Sequence, residues 1–365
     1  MIKPPLDRIP PHIAALADYE ALAREHLSEG AWAYFSGGAG DEWTLRENIA
    51  AYARLPLRPR VLRDLTGANT RTELFGTVLP APILLAPVAF QKLAHPDGEF
   101  ATALAAQALN VPMVVSTQAS VTLEELAEQA AGPLWFQLYI QPDRDFTQAL
   151  VRRAEQSGYR ALVVTVDAPV NGMRNREQRA GFALPAGIDA ANLRGMRGLQ
   201  AGPQEALLFG TPLIDTAARW SDLEWLRGIT ALPVLVKGIA DPADARRALE
   251  AGMDGIVVSN HGGRALDGTP AAIDLLAPVV REVAGAVPVL MDGGIRRGAD
   301  VLRALALGAD AVLVGRPAIF ALASAGAPGV AHVLRILQGE LELAMALTGC
   351  ADIASVDGAV LADRP

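Results

Sequence analysis

Gly255-Ile256-Val257-Val258-Ser259-Asn260-His261-Gly262-Gly263-Arg264 joins a short apolar run to a histidine and an arginine. Its first four residues have the length and branching of a buried strand, so the His and the Arg follow directly on a strand end. Between them, two glycines let the backbone turn sharply and come close to a ligand. Imidazole exchanges a proton near neutral pH, and a guanidinium fork matches a carboxylate through two parallel hydrogen bonds. The pair suits a carboxylate with a removable proton beside it. Taken alone, His-Gly-Gly-Arg would serve equally as a solvated surface turn.

Seven further apolar runs of the same kind flank it, at 83–86, 113–115, 134–138, 161–166, 234–236, 289–291 and 311–314. Ala/Leu/Glu-rich helical patterns alternate with them, the signature of successive βα units around a parallel sheet. Eight strands predict an α/β fold, a closed (β/α)8 TIM barrel. Residues 1–60 read as an N-terminal arm and helical cap. Its helix runs from about 17 to 52, with Asp18 as N-cap and a break at Ser36-Gly37-Gly38-Ala39-Gly40. The barrel takes 61–350, and 351–365 form a C-terminal tail.

Barrel active sites gather at the C-terminal ends of the strands. In order, those ends carry Pro87-Val88-Ala89, Ser116-Thr117-Gln118, Tyr139, Asp167, Lys237-Gly238, His261 with Arg264, Asp292-Gly293-Gly294-Ile295-Arg296, and Gly315-Arg316, with Gln137 and Thr165 just inside two of them. Such polar groups would converge on one mouth. The glycines and arginines after the last two strands match a frequent phosphate site of barrels, where backbone N–H groups and a helix N-terminus face the anion. They leave open whether the phosphate belongs to a cofactor or to a substrate. From 171 to 219 no strand pattern occurs, and a connection that long after a barrel strand is expected to be a mobile active-site lid.

Composition narrows the class. At 51% hydrophobic and 20% charged residues, the 365-residue chain has material for a large core and is not disordered. A net charge of -8 without any Lys/Arg-rich block argues against nucleic acid as a partner. The single cysteine, Cys350, rules out an internal disulfide and a cysteine-cluster metal site, and reads as a small apolar filler. The five histidines show no ligand spacing, so no metal is expected. No signal-peptide core and no apolar run near ~20 residues stands out, and a cytoplasmic protein off the membrane is expected.

Taken together, Ser259 to Arg264, Asp292 to Arg296, Thr165-Val166-Asp167-Ala168-Pro169, Phe136-Gln137-Leu138-Tyr139, and Tyr34 before Ser36-Gly37-Gly38-Ala39 resemble the FMN-dependent 2-hydroxy-acid oxidase and dehydrogenase family. The resemblance covers about 19 to 349, with the motifs in the family's order. It implies His261 as active-site base, Asp167 as the carboxylate that orients it, and Arg264 with Arg174 as the clamp on the substrate carboxylate. Tyr34 and Tyr139 are implied to hydrogen-bond the substrate, with Tyr139 nearer the reacting hydroxyl. For FMN it implies Lys237 as a cation beside the ring, and Val88, Ala89, Ser116, Gln137, Thr165 and Ser259 as further contacts. Asp292 is implied to hold ribityl hydroxyls, and Gly294, Arg296, Gly315 and Arg316 the phosphate.

The reaction so implied is oxidation of an (S)-2-hydroxy acid to the 2-oxo acid. Ala89, in a place where family oxidases resemble one another in carrying Ala, favours oxygen as acceptor, with hydrogen peroxide as product. A dehydrogenase using another acceptor is the alternative, and another phosphate-binding barrel enzyme, such as an FMN-dependent isomerase, the more distant one. Gln118 stands where glycolate oxidases carry an aromatic residue, which argues against short substrates and for lactate or a larger, mandelate-like acid. Phe35, Ile140 and Met173 are candidate pocket walls. By resemblance, the assembly is a homo-oligomer, a tetramer.

Overall fold

The computed structural model describes residues 2–198 and 207–362. Two short antiparallel strands, β1 (Thr72–Leu74) and β2 (Thr77–Leu79), precede eight parallel ones: β3 (Ile83–Leu85), β4 (Met113–Ser116), β5 (Leu134–Leu138), β6 (Leu162–Thr165), β7 (Val234–Ile239), β8 (Gly255–Val258), β9 (Val289–Asp292) and β10 (Ala311–Val314). β3 to β10 pair in sequence and β10 returns to β3, which closes the barrel. All eight expected strands are present, and β5, β8 and β10 have the expected bounds; of the others, β7 moves furthest and runs on to Ile239 rather than stopping at Val236.

Three helices cap the chain before the barrel: α1 (Leu16–His26), α2 (Glu29–Ser36) and α3 (Trp43–Ala50). Ten more follow: α4 (Gly98–Ala108), α5 (Leu123–Gln129), α6 (Arg144–Gln156), α7 (Asn175–Arg179), α8 (Pro212–Asp215), α9 (Trp220–Arg227), α10 (Pro242–Glu250), α11 (Ala272–Val283), α12 (Gly298–Ala306) and α13 (Arg316–Thr348). Asp18 is not the N-cap of α1. The cap position is Ala15, and the Asp18 carboxylate reaches back from the first turn to accept from the N–H groups of Ala14 and Ala15, both at 2.9 Å. A second break, at Leu27, lets Ser28 cap α2 by accepting from the Ala31 N–H.

The barrel interior follows from the period-two alternation of a strand. Leu84, Val114, Trp135, Val163, Leu235, Val257, Leu290 and Leu313, one from each strand, form an apolar layer separate from the outer core. The hairpin β1–β2 closes the lower end of this layer. Its Phe75 packs edge-on against Trp135 at 5.7 Å, and a side chain at Gly255 would run into the Phe75 ring at 3.3 Å. The outward-facing strand residues pack instead against the helices.

One helix, α13, is long and apolar enough by length and composition to span a membrane, which the sequence reading did not anticipate. Its composition has another use here. It bends at Ala325–Gly326, packs against α1, α4 and α12, and has 78% of its most apolar stretch buried inside the protein. Cys350, just past it, is buried among apolar neighbours.

Candidate active site

Two residues beyond the apolar layer, the same inward direction is taken by Ala86, Ser116, Gln137, Thr165, Lys237, Ser259, Asp292 and Gly315. A polar ring therefore lies on an apolar floor. All of these except Ser259 line a cavity of about 400 Å³ at the barrel mouth. Lys237, fully buried, ion-pairs with Asp292 at 2.9 Å and donates to the Ser259 hydroxyl, which in turn donates to Asp292 at 2.6 Å. Ser259 thus stands behind Lys237 and Asp292 rather than facing the cavity. Burial works against the Lys237 charge, but Asp292 and Asp167 outweigh it and raise its pKa above the ordinary lysine range.

Gln137 accepts with its carbonyl from Ser116 Oγ and Thr117 N–H, while its Nε2 group and Thr165 Oγ1 are buried without a hydrogen-bond partner. Orphaned donors at a cavity wall are costly unless a ligand meets them. A ring system with carbonyl and N–H groups along one edge, as in a flavin, has the groups to satisfy them, so the residues present fit FMN.

His261 follows β8 with a left-handed backbone, φ +56°, continued by Gly262 and Gly263 at +61° and +74°. Three such residues in a row need the glycines; at Gly263 a Cβ would lie 2.6 Å from the Leu45 N–H. The turn brings His261 Nδ1 to 2.7 Å from Asp167 Oδ1. Burial works against the Asp167 charge, yet His261 and Lys237 outweigh it and hold the carboxyl below its ordinary range. An ionised Asp167 fixes the imidazole proton on Nδ1, which leaves Nε2 free to accept a proton on the cavity side.

Beside His261, the Arg264 guanidinium lies over the Tyr34 ring, 5.0 Å from its centroid. Its Nη1 donates to the carbonyls of Tyr34 and Gly37, and Arg174 Nε donates to the Arg264 carbonyl at 3.0 Å. Tyr139 lines the same cavity; burial pushes its phenol up to about 12, so it remains a donor at neutral pH. Tyr34 is likewise raised by burial. His261, Arg174, Arg264 and both phenols thus face one volume.

Gly294, Arg296, Gly315 and Arg316 line the same cavity, and the Arg316 guanidinium lies beside that of Arg264, both donating to the Gly37 carbonyl. Burial lowers the pKa of both arginines. Arg316 also ties the cap to the His261–Gly263 turn, donating to the carbonyls of Phe35, Gly37 and Gly262. Gly294 has φ +81°, and a Cβ there would sit 1.9 Å from the Asn48 carbonyl of α3. Gly294→Ala is therefore expected to destabilise the fold by at least about 1–3 kcal/mol for the backbone alone, with the clash added. A urea-unfolding midpoint equal to the parent's would refute this.

Two expected pocket walls are misplaced. Met173 is 72% exposed, and neither it nor Ile140 lines the cavity; Phe35 does. Phe90, Gln118, Phe182 and Leu184 supply the wall instead, with Phe182 stacked on Tyr34 at 4.9 Å. Phe182 and Leu184 belong to the expected lid, whose residues 199–206 lie outside the described part. The sequence reading also missed Glu177, which bridges Arg174 and Arg264. The signal was there, since Arg174-x-x-Glu177 has the spacing of a helical ion pair.

The family model for FMN-dependent dehydrogenases matches residues 23–363. Over 354 residues the chain is 49% identical to an L-lactate oxidase of a Nostoc species, covering 95% of this chain and 97% of that protein. It is 47% identical to a peroxisomal (S)-2-hydroxy-acid oxidase of Oryza sativa subsp. japonica, covering 93% of each. Among solved structures, mandelate oxidase with benzoyl-formic acid superposes with a TM-score of 0.87 at 44% identity, over 96% of this chain and 98% of that one.

Proposed function

Because the chain belongs to the family of FMN-dependent dehydrogenases, we propose that it oxidises an (S)-2-hydroxy acid to the 2-oxo acid and passes the electrons to oxygen, giving hydrogen peroxide. The observation that carries this reading is the His261–Asp167 pair facing the same cavity as Arg174 and Arg264. FMN, when bound, supplies the two-electron acceptor. Val88, Ala89, Ser116, Gln137 and Thr165 would hold its ring, and Lys237, backed by Ser259, would supply the fixed cation that favours electron uptake. Asp292 would hold the ribityl chain, and Gly294, Arg296, Gly315 and Arg316 the phosphate.

The substrate carboxylate goes to Arg174 and Arg264, with Tyr34 beside it. This sets the 2-hydroxyl toward Tyr139 and His261. His261 Nε2 takes the proton that leaves the substrate, and Asp167 stabilises the imidazolium so formed. Phe90, Phe182, Leu184 and Gln118 leave the side-chain pocket largely apolar with one amide, which supports lactate or a larger acid such as mandelate as substrate. By family resemblance the reading extends to a homotetramer.

An anaerobic titration of the purified protein, following the visible flavin band as L-lactate and then (S)-mandelate are added, is the test. One acid is expected to bleach the band, and air to restore it promptly with release of peroxide. Slow recovery in air would exclude oxygen as the acceptor. A band that neither acid bleaches would remove the substrate assignment.

A further inference from the structure

Arg174 and Arg264 do not meet the cavity as two free cations. A single oxygen, Glu177 Oε1, accepts from Arg174 Nη1 at 3.0 Å and from Arg264 Nη2 at 3.1 Å. All three side chains are largely buried, and all three line the cavity. Glu177 is held in place by its own helix, α7, and its carbonyl accepts from the N–H of Phe182, the residue stacked on Tyr34. Once these bonds are made, Arg264 Nε and Arg174 Nη2 have no partner among the described residues, so the cross-linked pair still offers donors to an incoming anion. The other carboxylates of the site are matched to other groups: Asp292 to Lys237, and Asp167 to His261. Among the described residues, Glu177 is the carboxylate bonded to both arginines of the clamp, while Arg316 adds a cation beside Arg264 through the shared Gly37 carbonyl.

We propose that Glu177 is a positioning and charge-setting residue that lowers the net charge of the two-arginine clamp by one, so that the site discriminates against dianionic 2-hydroxy acids in favour of monoanionic ones. The proposal rests on Arg174 and Arg264 being the carboxylate clamp. Its physical basis is that a fixed carboxylate a few ångströms from a bound anion repels each ligand charge separately. A dianion is repelled twice as strongly as a monoanion. Neutralising Glu177 removes that repulsion and favours the dianion, whereas a mere loosening of the arginines weakens the dianion more than the monoanion and moves the ratio the other way. The ratio of the two affinities therefore reads charge and not structure.

The experiment uses the FMN-loaded protein and two unreactive probes, acetate and oxalate, each titrated at neutral pH by the change it causes in the visible flavin spectrum. In Glu177→Gln, repulsion relieved at about tenfold per ligand charge is expected to tighten acetate about tenfold and oxalate about a hundredfold, moving their ratio about tenfold. Glu177→Asp, which keeps the charge, is expected to leave the ratio within about threefold of the parent. A parental ratio in Glu177→Gln would overturn the proposal. In Arg174→Met, acetate is expected to bind at least about tenfold more weakly; if it does not, the clamp reading itself is wrong and the proposal falls with it. The parent provides a check that needs no variant. Malate, which carries one more carboxylate than lactate, is expected to show a kcat/KM about tenfold lower, the factor set for one extra ligand charge. Equal efficiency for the two acids would also overturn the proposal.

Discussion

Replacing His261 with Asn is expected to slow anaerobic bleaching of the flavin by a 2-hydroxy acid about 10²–10⁴-fold, the range ordinarily contributed by a positioned general base. Asparagine is the useful substitute because His261 sits at φ +56°, a backbone that Asn tolerates better than most residues. The turn should therefore keep its shape, and FMN should stay bound through gel filtration. Among the described residues, the His261 side chain makes one hydrogen bond, to Asp167 at 2.7 Å, so its loss leaves that carboxylate beside Lys237 rather than alone. Asp167→Asn should be the milder change. It keeps the imidazole but removes the charge that selects its Nδ1 tautomer and would stabilise an imidazolium. If the His261→Asn protein holds FMN and bleaches at the parental rate, His261 is not the base.

The barrel was legible because its strands obey one rule twice. Leu235 and Lys237, or Leu290 and Asp292, are two residues apart and point the same way, the first into an apolar floor and the second into the mouth. Apolar runs ending in polar residues therefore predict both the sheet and the site. What was not legible depends on contacts between distant segments. The β1–β2 hairpin turns through Phe75-Gly76, both at positive φ, where the usual signal would be Asn-Gly or Asp-Gly; Phe75 is tolerated there because its ring fills the barrel floor against Trp135. Met173 was a candidate wall residue, but its backbone carbonyl is bonded to the Gly40 N–H and its side chain faces out. Phe182 reaches the site only because α7 brings it back over α2 and Tyr34. Composition hid α13 differently: its apolar run is interrupted in sequence by Gly326 and Pro328, yet is continuous as buried surface.

Lys237→Met is the second substitution with a large expected effect, this time on stability. Lys237 Nζ contacts Asp292 and Ser259, each at 2.9 Å, and is almost entirely buried. Methionine matches the stem but leaves Asp292 without its cation, and removes a charge that also helps hold Asp167 ionised. Breaking a buried pair from one side costs about 3–5 kcal/mol, far more than the pair contributes relative to an apolar replacement of both partners. That asymmetry supplies the control. Lys237→Met is expected to lose about 3–5 kcal/mol in urea unfolding, and the double variant Lys237→Met/Asp292→Asn to regain about half of it. Repeating both measurements with FMN in excess separates the buried charge from cofactor binding, because a ligand stabilises only in proportion to its affinity for the folded protein. A single variant within about 1 kcal/mol of the parent would mean that water or a local rearrangement already compensates Asp292. Lys237 would then matter to the site for its charge alone and not for holding the barrel mouth together.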